Sequence, residues 1–535
     1  MRANTMIAAV AGGLAALGVA GGAHAQLTVS SGSTSGVSCS SGVCTTTTAK
    51  ATLNVTQLEN LLASSDVQLK PGSLSQDIVI AAGVFWSSSH RLTLDGYRSI
   101  AINQPVQVTG TGALTMTTND GGANGTLTYA EKANVTFLSL SSSLIINGTT
   151  FTLKNSIASL ASAIAANSAG NFALAGSYDA KQDGTYTASP IPTTLEGTVD
   201  GLNNTISNLA IDAPQSVKQV GLFETTTYVS VIRNLILSKL NVKSAGVGNV
   251  MVGGLIAWSQ ADDGFVVNVS VDGTVSAPKG SADVGGLIGN NEATVDHCRS
   301  SAKVTSGDAG GLVGSNSGTI INSTATGTVN VSGNGGGLLG LNAGTVSLSS
   351  ASASVNGKHG AAVGGLVGVN NGSEIDRSFA TGKVQANGNG AGVGGLVGVN
   401  NGGDVSNSYA TGATKGSGNV SDVGGLVGAN SGDISQAYST GEVTGQNGAY
   451  AGGSIGNDLT QGKGTIHDDY WDTTTSGITD PDQGAGTPLK DKGITALSNS
   501  ELKSGLPSGF DKKVWAENAK INGGLPYLIA NPPKK

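Results

Sequence analysis

The chain has 535 residues, of which 83 are glycine, 12% are charged and 4% are aromatic, with a formal net charge of −7. This is roughly twice the usual glycine share and half the usual charged share, and so few aromatic residues exclude a large aromatic core. The acidic balance argues against nucleic acid and anionic membrane as partners. A mean hydropathy of +0.04 argues against a disordered chain.

The first 25 residues have the pattern of a secretory signal peptide. Arg2 supplies a positive charge, a run rich in Ala, Gly and Leu follows, and "AHA" precedes Gln26 as a small-residue cleavage site. No later stretch stays apolar for the roughly 18 residues that a membrane-spanning helix needs. We therefore expect an exported protein, extracellular, on the outer cell surface or periplasmic, without an integral membrane segment after signal removal.

Residues 26–50 are rich in Ser, Thr and Gly, and this composition predicts a flexible leader. Cys39 and Cys44 lie within it in the stretch "CSSGVC". In an exported protein, two cysteines at this spacing are a candidate disulfide, and the alternative of two unpaired thiols stays open.

Residues 51–192 predict a β-rich region with two short helices. Runs such as "DIVIAAGVFW", "RLTLDGY" and "SLIINGTTFTL" are separated by Gly, Asn and Asp at intervals of about ten residues, as in an all-β stack. Thr56 and Glu59 have the spacing of a helical capping box. Residues 157–164 place apolar side chains at helical spacing, which predicts the second helix.

From residue 253 onward the sequence is an explicit repeat. A phrase that begins with two glycines starts at residues 253, 285, 310, 336, 364, 394, 424 and 452. Repeats at such intervals indicate a solenoid, a propeller or an array of stacked units. A single unit cannot bury enough surface to fold alone, so each unit must stack on its neighbours.

Aligning the units exposes columns of equivalent residues. One column consists mostly of Val, and two columns consist of Ser, Ala and Cys. All three are separated by even numbers of residues, so their side chains point to the same face of a strand, and we assign that face to a narrow interior. The valines include Val304, Val329, Val355 and Val384. The Asn six residues after the first Gly predicts a stacked turn with an amide ladder, the alternative being turn chemistry alone. These asparagines are Asn291, Asn316, Asn342, Asn370, Asn400 and Asn430.

Another column should face solvent and carries an aromatic ring in four successive units. These residues are Phe379, Tyr409, Tyr438 and Tyr470. Because neighbouring coils lie about 4.8 Å apart, the rings predict a ladder along the axis. An exposed ladder is a candidate binding site for a surface glycan or a protein. The alternative, which we take as the default, is ring stacking that stabilises the wall.

Acidic residues also recur at one position in three successive units, as Glu374, Asp404 and Asp433. Like charges this close need water, cations or a hard metal, so the column is a weak calcium candidate whose default is a solvated edge. No cofactor is expected. The sequence lacks an HExxH pair, which excludes the usual helical zinc site.

The phrase "GGLVGxNxG…SxATGxV" resembles the GLUG repeat. The lead-in "TLEGTVDGLNNTISNLAI" at 194–211 and the closing "DDYWDTTTSG" at 468–477 resemble segments that flank such arrays. Together with the β-rich region, the chain is similar to the passengers of filamentous-haemagglutinin-like adhesins. This resemblance implies a right-handed parallel β-helix, export, and a surface or adhesive role in bacteria.

The predicted fold is all-β, a right-handed parallel β-helix (β-solenoid) with small helical caps. Its expected parts are a signal peptide (1–25), a leader (26–50), an N-terminal β-rich region (51–192), lead-in coils (193–252), a GLUG-like array (253–460) and a C-terminal cap (461–535). In the cap, "SNSE" at 498–501 predicts the start of a short helix.

The predicted function is non-enzymatic, an adhesin-like solenoid that mediates attachment, biofilm formation or host-surface binding. One alternative is a glycan-acting enzyme on a β-helix, which the scarcity of basic residues in the repeats disfavours. The other is a passive extracellular scaffold.

Overall fold

The computed structural model describes residues 25–533 except 123, 228, 261–262, 279, 281–282, 359–361, 389–391, 418–421, 447–448 and 461–464. The predicted signal peptide, apart from its last residue, lies outside the described residues. The described chain winds into a solenoid of about 15 turns, in which strands pair in parallel with their equivalents one coil away. The all-β, parallel β-helical fold predicted from the sequence is confirmed.

One complete coil shows how a repeat builds the walls. Its strands are Val363–Gly364, Val367–Asn371, Glu374–Asp376, Phe379–Ala380 and Val384–Asn387. The first strand belongs to the first wall, the second to the second wall, and the remaining three to the third wall. Alternate residues of Val384–Asn387 are buried because successive side chains of a strand point to opposite faces.

The walls of the array repeat this arrangement from residue 284 onward. The first wall contains Val284–Gly285, Ala309–Gly310, Gly335–Gly336, Val363–Gly364, Gly392–Gly394, Asp422–Gly424 and Tyr450–Gly452. The second wall contains Ile288–Asn291, Val313–Asn316, Leu339–Asn342, Val367–Asn371, Val397–Asn401, Val427–Asn430, Ile455–Asp458 and Ala485–Thr487. The third wall contains Thr294–Asp296, Arg299–Ser300, Lys303–Ser306, Thr319–Ile321, Thr324–Ala325, Thr328–Val331, Thr345–Ser347, Ser350–Ala351, Ser354–Lys358, Glu374–Asp376, Phe379–Ala380, Val384–Asn387, Asp404–Ser406, Tyr409–Ala410, Thr414–Ser417, Asp433–Ser439, Val443–Thr444, Ile466–Asp472 and Ile494–Leu497.

The strands that precede the array continue the same walls. Their bounds between residues 171 and 276 are Asn171–Leu174, Tyr178–Asp179, Thr185–Tyr186, Thr198–Ser207, Ala210–Ala213, Gln219–Val220, Phe223–Thr227, Val231–Ser244, Met251–Gly253, Ile256–Gln260 and Phe265–Ser276. The third wall runs back through Phe265–Ser276 and Val231–Ser244 to Thr198–Ser207.

A separate set of coils forms the N-terminal part. Its strands are Gln26–Ser30, Val37–Ser40, Val43–Thr46, Lys50–Asn54, Val67–Leu69, Asp77–Ile80, Val84–Trp86, Arg91–Asp95, Ile100–Ile102, Val106–Val108, Ala113–Thr117, Leu127–Tyr129, Val135–Phe137, Ser143–Ile146 and Thr149–Lys154. These coils bury their own apolar core between residues 27 and 202, distinct from the core of the array. The chain ends in an antiparallel pair, Trp515–Ala516 with Tyr527–Leu528.

Residues 26–50 are folded, so the expectation of a flexible leader is wrong. The strand Gln26–Ser30 pairs in parallel with Lys50–Asn54 on one side and with Asp77–Ile80 on the other. Its alternating Leu and Val are fully buried, and this period-two pattern outweighs the Ser/Thr-rich composition around it. Cys39 and Cys44 face each other across a hairpin and form a disulfide.

Three short α-helices lie within the described residues: α1 (Val55–Leu62), α2 (Ile157–Ala166) and α3 (Asn499–Leu502). All three lie where the sequence predicts helices. Helix α1 is capped by Asn54, whose side chain accepts from the N–H of Gln57 at 3.2 Å, so the predicted capping box at Thr56 is wrong. Helices α2 and α3 each begin with a complete capping box. Single 3₁₀ turns occupy Gly72–Leu74, Ala180–Asp183 and Asn522–Gly524.

The glycine pair of each repeat lies where two walls meet. A Cβ built on Gly364 would stand 1.9 Å from the carbonyl oxygen of Val367, and one on Gly365 would stand 2.0 Å from the carbonyl oxygen of Gly395 in the next coil. Backbone atoms cannot move aside as a side chain can. The repeated glycines are therefore required by the close approach of each coil to itself and to its neighbour.

The interior columns stack in register, as predicted. Val304 lies opposite Val329, Val329 opposite Val355, and Val355 opposite Val384, and all four are fully buried. No helix among the described residues is long and apolar enough to cross a membrane.

A corner of the third wall was not foreseen from the sequence. One residue per coil adopts a left-handed backbone, with φ between 45° and 52°: His297, Asn322, Leu348, Arg377, Asn407, Gln436 and Asp468. Non-glycine residues rarely adopt this conformation. This residue bends the strand and interrupts the alternation of its side chains. The residue two positions before the bend and the residue directly after it therefore both point into the core.

Candidate functional site

The predicted aromatic ladder forms. The rings of Phe379 and Tyr409 are 4.8 Å apart between centroids and 5° from parallel, and those of Tyr409 and Tyr438 are 5.0 Å apart and 3° from parallel. Tyr470 lies opposite Tyr438 in the next coil. The ring spacing follows the coil spacing, as expected for equivalent residues of a parallel stack.

The ladder is not exposed, so its predicted role as an open binding strip is wrong. Phe379 and Tyr470 are 6% exposed, and Tyr409 and Tyr438 are fully buried. The chain folds back over them after the last coil and places Trp515 against the stack, with ring centroids 6.0 Å from Tyr409 and 5.9 Å from Tyr438. The rings point away from the interior of the coils, as predicted. They do not meet solvent, because the C-terminal segment of the protein covers this large apolar strip.

We call residues 498–531 the C-terminal clasp. Polar contacts fix it to the ladder as well as apolar ones. The hydroxyl of Tyr438 donates to the carbonyl oxygen of Pro526 at 2.7 Å, and the hydroxyl of Tyr470 donates to that of Ser508 at 2.8 Å. Further back along the array, Nδ2 of Asn531 donates to the carbonyl oxygen of Ser349 at 3.2 Å. The clasp thus spans several coils.

The acidic column follows the predicted register. Glu374 lies opposite Asp404, Asp404 lies opposite Asp433, and all three are exposed. Over the part of the chain that the structure describes, no group of three or more His, Cys, Asp or Glu side chains is arranged to hold a metal. The column has the geometry of a solvated edge, and the calcium hypothesis gains no support from it.

The asparagine column forms the amide ladder that the sequence predicted. The Nδ2 of each of the first five donates to Oδ1 of the Asn in the next coil at 2.8 to 3.0 Å, and also to a backbone carbonyl oxygen of its own turn. The six side chains are at most 1% exposed. Asp458 ends the ladder by accepting from Asn430 at 3.4 Å. These residues are structural, and they lock the register of the second wall.

We expect Asn370→Ala to lower the free energy of unfolding of the array by roughly 2 to 4 kcal/mol. The change deletes two donated hydrogen bonds, to Asn400 and Ser373, and one accepted from Asn342, all inside the core. The matched control is Asn371→Ala, because the neighbouring Asn371 is exposed and should cost less than about 0.5 kcal/mol. Urea unfolding of both variants measures the difference, and equal costs would contradict a ladder that stabilises the array.

The small-residue column is a second ladder, which the sequence analysis missed. The N–H of Ser323 donates to the hydroxyl of Ser349, and the N–H of Ser349 donates to that of Ser378, both at 3.1 Å. The hydroxyl of Ser349 in turn donates to the carbonyl oxygen of Ser347 at 2.8 Å. Cys298 begins this column, and burial raises the pKa of its thiol to about 12, so it is structural rather than reactive.

A groove of about 420 Å³ lies outside the core, between the third wall and a loop of the N-terminal coils. Arg233, Asn268 and Arg299 line it from the wall, and residues 125–131 line it from the loop. Its wall side runs from Arg233, which precedes the array, to Arg299 in one of the first coils of the array. No repeat in the sequence indicates the groove, because its opposite side comes from the N-terminal coils.

Arg233 is held rigidly in this groove. Its Nε donates to the fully buried Asp200 at 2.7 Å, and its guanidinium carbon lies 5.8 Å from the centre of the Phe151 ring. Asp200 also accepts from Nδ2 of Asn234 at 3.1 Å. Oδ1 of Asn234 then accepts from Nδ2 of Asn268 at 3.0 Å, which forms a short chain of hydrogen bonds along the groove.

The comparisons with known proteins support the repeat and leave the activity open. A family model of the GLUG motif matches residues 280–305, 306–330 and 359–385, so the chain carries GLUG repeats, as the sequence resemblance predicted. Among curated proteins none matches. A solved structure from Bacteroides ovatus, provisionally assigned as an immunoglobulin A1 protease, is similar over 67% of this chain and 85% of its own, with 19% identity and a TM-score of 0.32. A likeness this weak informs neither the activity nor the partners of the present chain.

Proposed function

We propose that the chain is an exported, adhesin-like β-solenoid that attaches bacteria to a surface and catalyses no reaction. The observation that supports this most is the placement of the repeat. The repeated Gly, Val, Ser and Asn residues lie in the interior, where two hydrogen-bonded ladders hold successive coils in register. Such a framework suits a rigid rod that carries a binding site on non-repeated residues.

The dimensions of the molecule fit this role. About 15 coils at about 4.8 Å each give an axis on the order of 70 Å. A rod of this length holds a binding surface away from the point where it is attached. The GLUG repeats and the predicted signal peptide are consistent with an extracellular location.

The test combines cell fractionation with an attachment assay. We expect the protein in the cell-surface or medium fraction, and we expect a deletion strain to attach less to surfaces and to recover when the full chain is supplied. Unchanged attachment with correct export would instead favour the passive scaffold. Turnover of plant or bacterial polysaccharides by the purified full chain would favour the glycan-acting enzyme.

A further inference from the structure

The groove between the third wall and the N-terminal coils holds one guanidinium group that has no ion-pair partner in the described residues. Arg299 is exposed on the wall, and among the described residues no carboxylate lies within ion-pair distance of it. Arg233 donates through Nε to Asp200, and no partner for its two terminal amino groups is found in the described part of the chain. Glu131 is the acidic residue that lines the groove. Asp200 therefore balances the charge of Arg233, whereas Arg299 has no ion-pair partner among the described residues, on a chain whose net charge is −7.

The remaining lining is suited to a ligand rich in hydroxyl groups. It combines amide and hydroxyl side chains with apolar ones: Thr118, Thr126, Thr128, Asn147, Asn268 and Ser270 beside Leu127, Ile146, Ile236, Val267 and Val269. Tyr129 adds an aromatic ring, and its hydroxyl has no hydrogen-bond partner among the described residues. The amides and hydroxyls offer hydrogen bonds, and Tyr129 and the apolar side chains offer apolar surface, which together suit the hydroxyl groups and the C–H face of a sugar ring.

We infer that this groove binds a short anionic saccharide, with Arg233 and Arg299, which lie two coils apart, each holding one of its carboxylate or sulfate groups. The planar, forked guanidinium matches such groups with two parallel hydrogen bonds, which a lysine could not provide. Arg233 is preorganised, because Asp200 and Phe151 fix its side chain before any ligand arrives. The volume lies within the range of small-ligand sites, about 300 to 1,000 Å³.

This inference deepens the proposed function and rests on it for its setting, an exported protein that meets surface glycans. It would explain why the coils beyond Arg299 need no binding residues. The coils would supply a rod, and the junction with the N-terminal coils would supply the contact.

The direct test is calorimetric titration of the purified full chain with three oligosaccharides of equal length. One carries carboxylates (oligogalacturonate), one carries sulfates (a sulfated chondroitin fragment) and one is neutral (a cello-oligosaccharide). We expect one or both anionic ligands to bind and the neutral one not to bind. Which anionic ligand binds more tightly distinguishes a carboxylate from a sulfate. Binding of none of them, or equal binding of all three, would overturn the inference.

Two variants test whether the groove is the site. Arg299→Ala should weaken binding about ten-fold or more, since it removes a charge-assisted contact. The matched control is Lys303→Ala, which removes the same charge from an exposed position of the same wall outside the groove and should change affinity less than about two-fold. Equal losses in both variants would mean general charge attraction and would overturn the site. Both positions are exposed, so both variants should fold.

The failure of this inference is distinguishable from the failure of the proposed function. If the deletion strain loses attachment while a strain carrying Arg299→Ala keeps it, the adhesive role stands and the groove is not its site. If the purified chain binds an anionic oligosaccharide but deletion leaves attachment unchanged, the groove stands and the adhesive role falls.

Discussion

Replacing Asp469 by Asn should stabilise the C-terminal coils above neutral pH and leave them nearly unchanged at pH 4. Asp469 is completely buried, and one carboxylate oxygen accepts from the hydroxyl of Ser454 at 2.5 Å. The other oxygen has no hydrogen-bond partner in the described residues. Burial raises the pKa of this carboxyl to about 8. The folded chain therefore holds Asp469 in its neutral form at pH 7.

The direction of the effect follows from proton binding. An unfolded aspartate loses its proton near its ordinary pKa of 3.8, whereas folded Asp469 keeps it up to about pH 8. Between these two values the folded state binds more protons, so the free energy of unfolding falls as the pH rises, by at most about 1.4 kcal/mol per pH unit. Asparagine has no proton to lose. The free energy of unfolding of the variant should therefore exceed that of the parent chain by near zero at pH 4 and by several kcal/mol at pH 8.

Urea unfolding at pH 4, 6 and 8 measures this difference, with the fluorescence of Trp471 in the same coil as one probe. The matched control is Asp404→Asn, which changes an exposed carboxylate on the same wall and should follow the parent chain at each pH. Because other groups also titrate, the quantity to compare is the gap between variant and parent. A gap that stays constant from pH 4 to pH 8 would contradict a neutral, buried Asp469.

The sequence contains a signal for the contact between Ser454 and Asp469. In the unit that starts at residue 452, Ser454 replaces the leucine of "GGLVG", and Asp469 takes the place that Ala437 holds in the preceding coil. Two departures from a repeat in one coil, both toward polar residues at buried positions, predict that the two side chains contact each other. A buried polar group needs a partner, and here each departure supplies the partner of the other.

The parts of the fold that the sequence predicted are those that repeat. Equivalent residues of a parallel stack become vertical neighbours, so the columns of Val355, Asn370 and Tyr409 could be read directly from the alignment of the units. The left-handed corner at Arg377 and Asn407 was not predictable in this way. Four of its seven residues are Asn, Asp or His, which tolerate a left-handed backbone, but Leu348, Arg377 and Gln436 hold the same position, so residue type does not mark the corner consistently.

Contacts between a repeat and a segment outside the array could not be predicted from the sequence either. The hydroxyl of Tyr438 bonds to a carbonyl oxygen 88 positions later, and nothing in the periodicity of the array encodes that pairing. The aromatic column was correctly placed on the outer face, but whether it meets solvent depends on where residues 498–531 fold. The groove at Arg233 and Arg299 escaped prediction for the same reason, because its opposite side comes from the N-terminal coils.

Truncating Trp515 to Ala should release the C-terminal clasp while the coils beneath it stay folded. Trp515 is 1% exposed. The centroid of its ring lies 4.6 Å from that of Phe510, 6.0 Å from that of Tyr409 and 5.9 Å from that of Tyr438. Removing a buried ring of this size costs roughly 3 to 5 kcal/mol. Among the described residues, the buried apolar side chains of the clasp belong to a small cluster separate from the interior of the coils, so this loss should fall on the local stability of the clasp rather than on the whole array.

Limited proteolysis and hydrogen exchange check this expectation. Residues 498–531 should become cleavable and lose protection, while the wall strands between 284 and 401 keep theirs. Trp515→Phe is the matched control, because it keeps a ring in the cluster and removes an N–H that has no partner among the described residues, so it should cost less than about 1.5 kcal/mol. A uniform loss of protection along the array in Trp515→Ala would mean that the clasp stabilises the coils themselves. In that case the ladder of Tyr409 and Tyr438 would depend on the clasp for its order, because stacked rings exposed to water lose most of the burial that holds them.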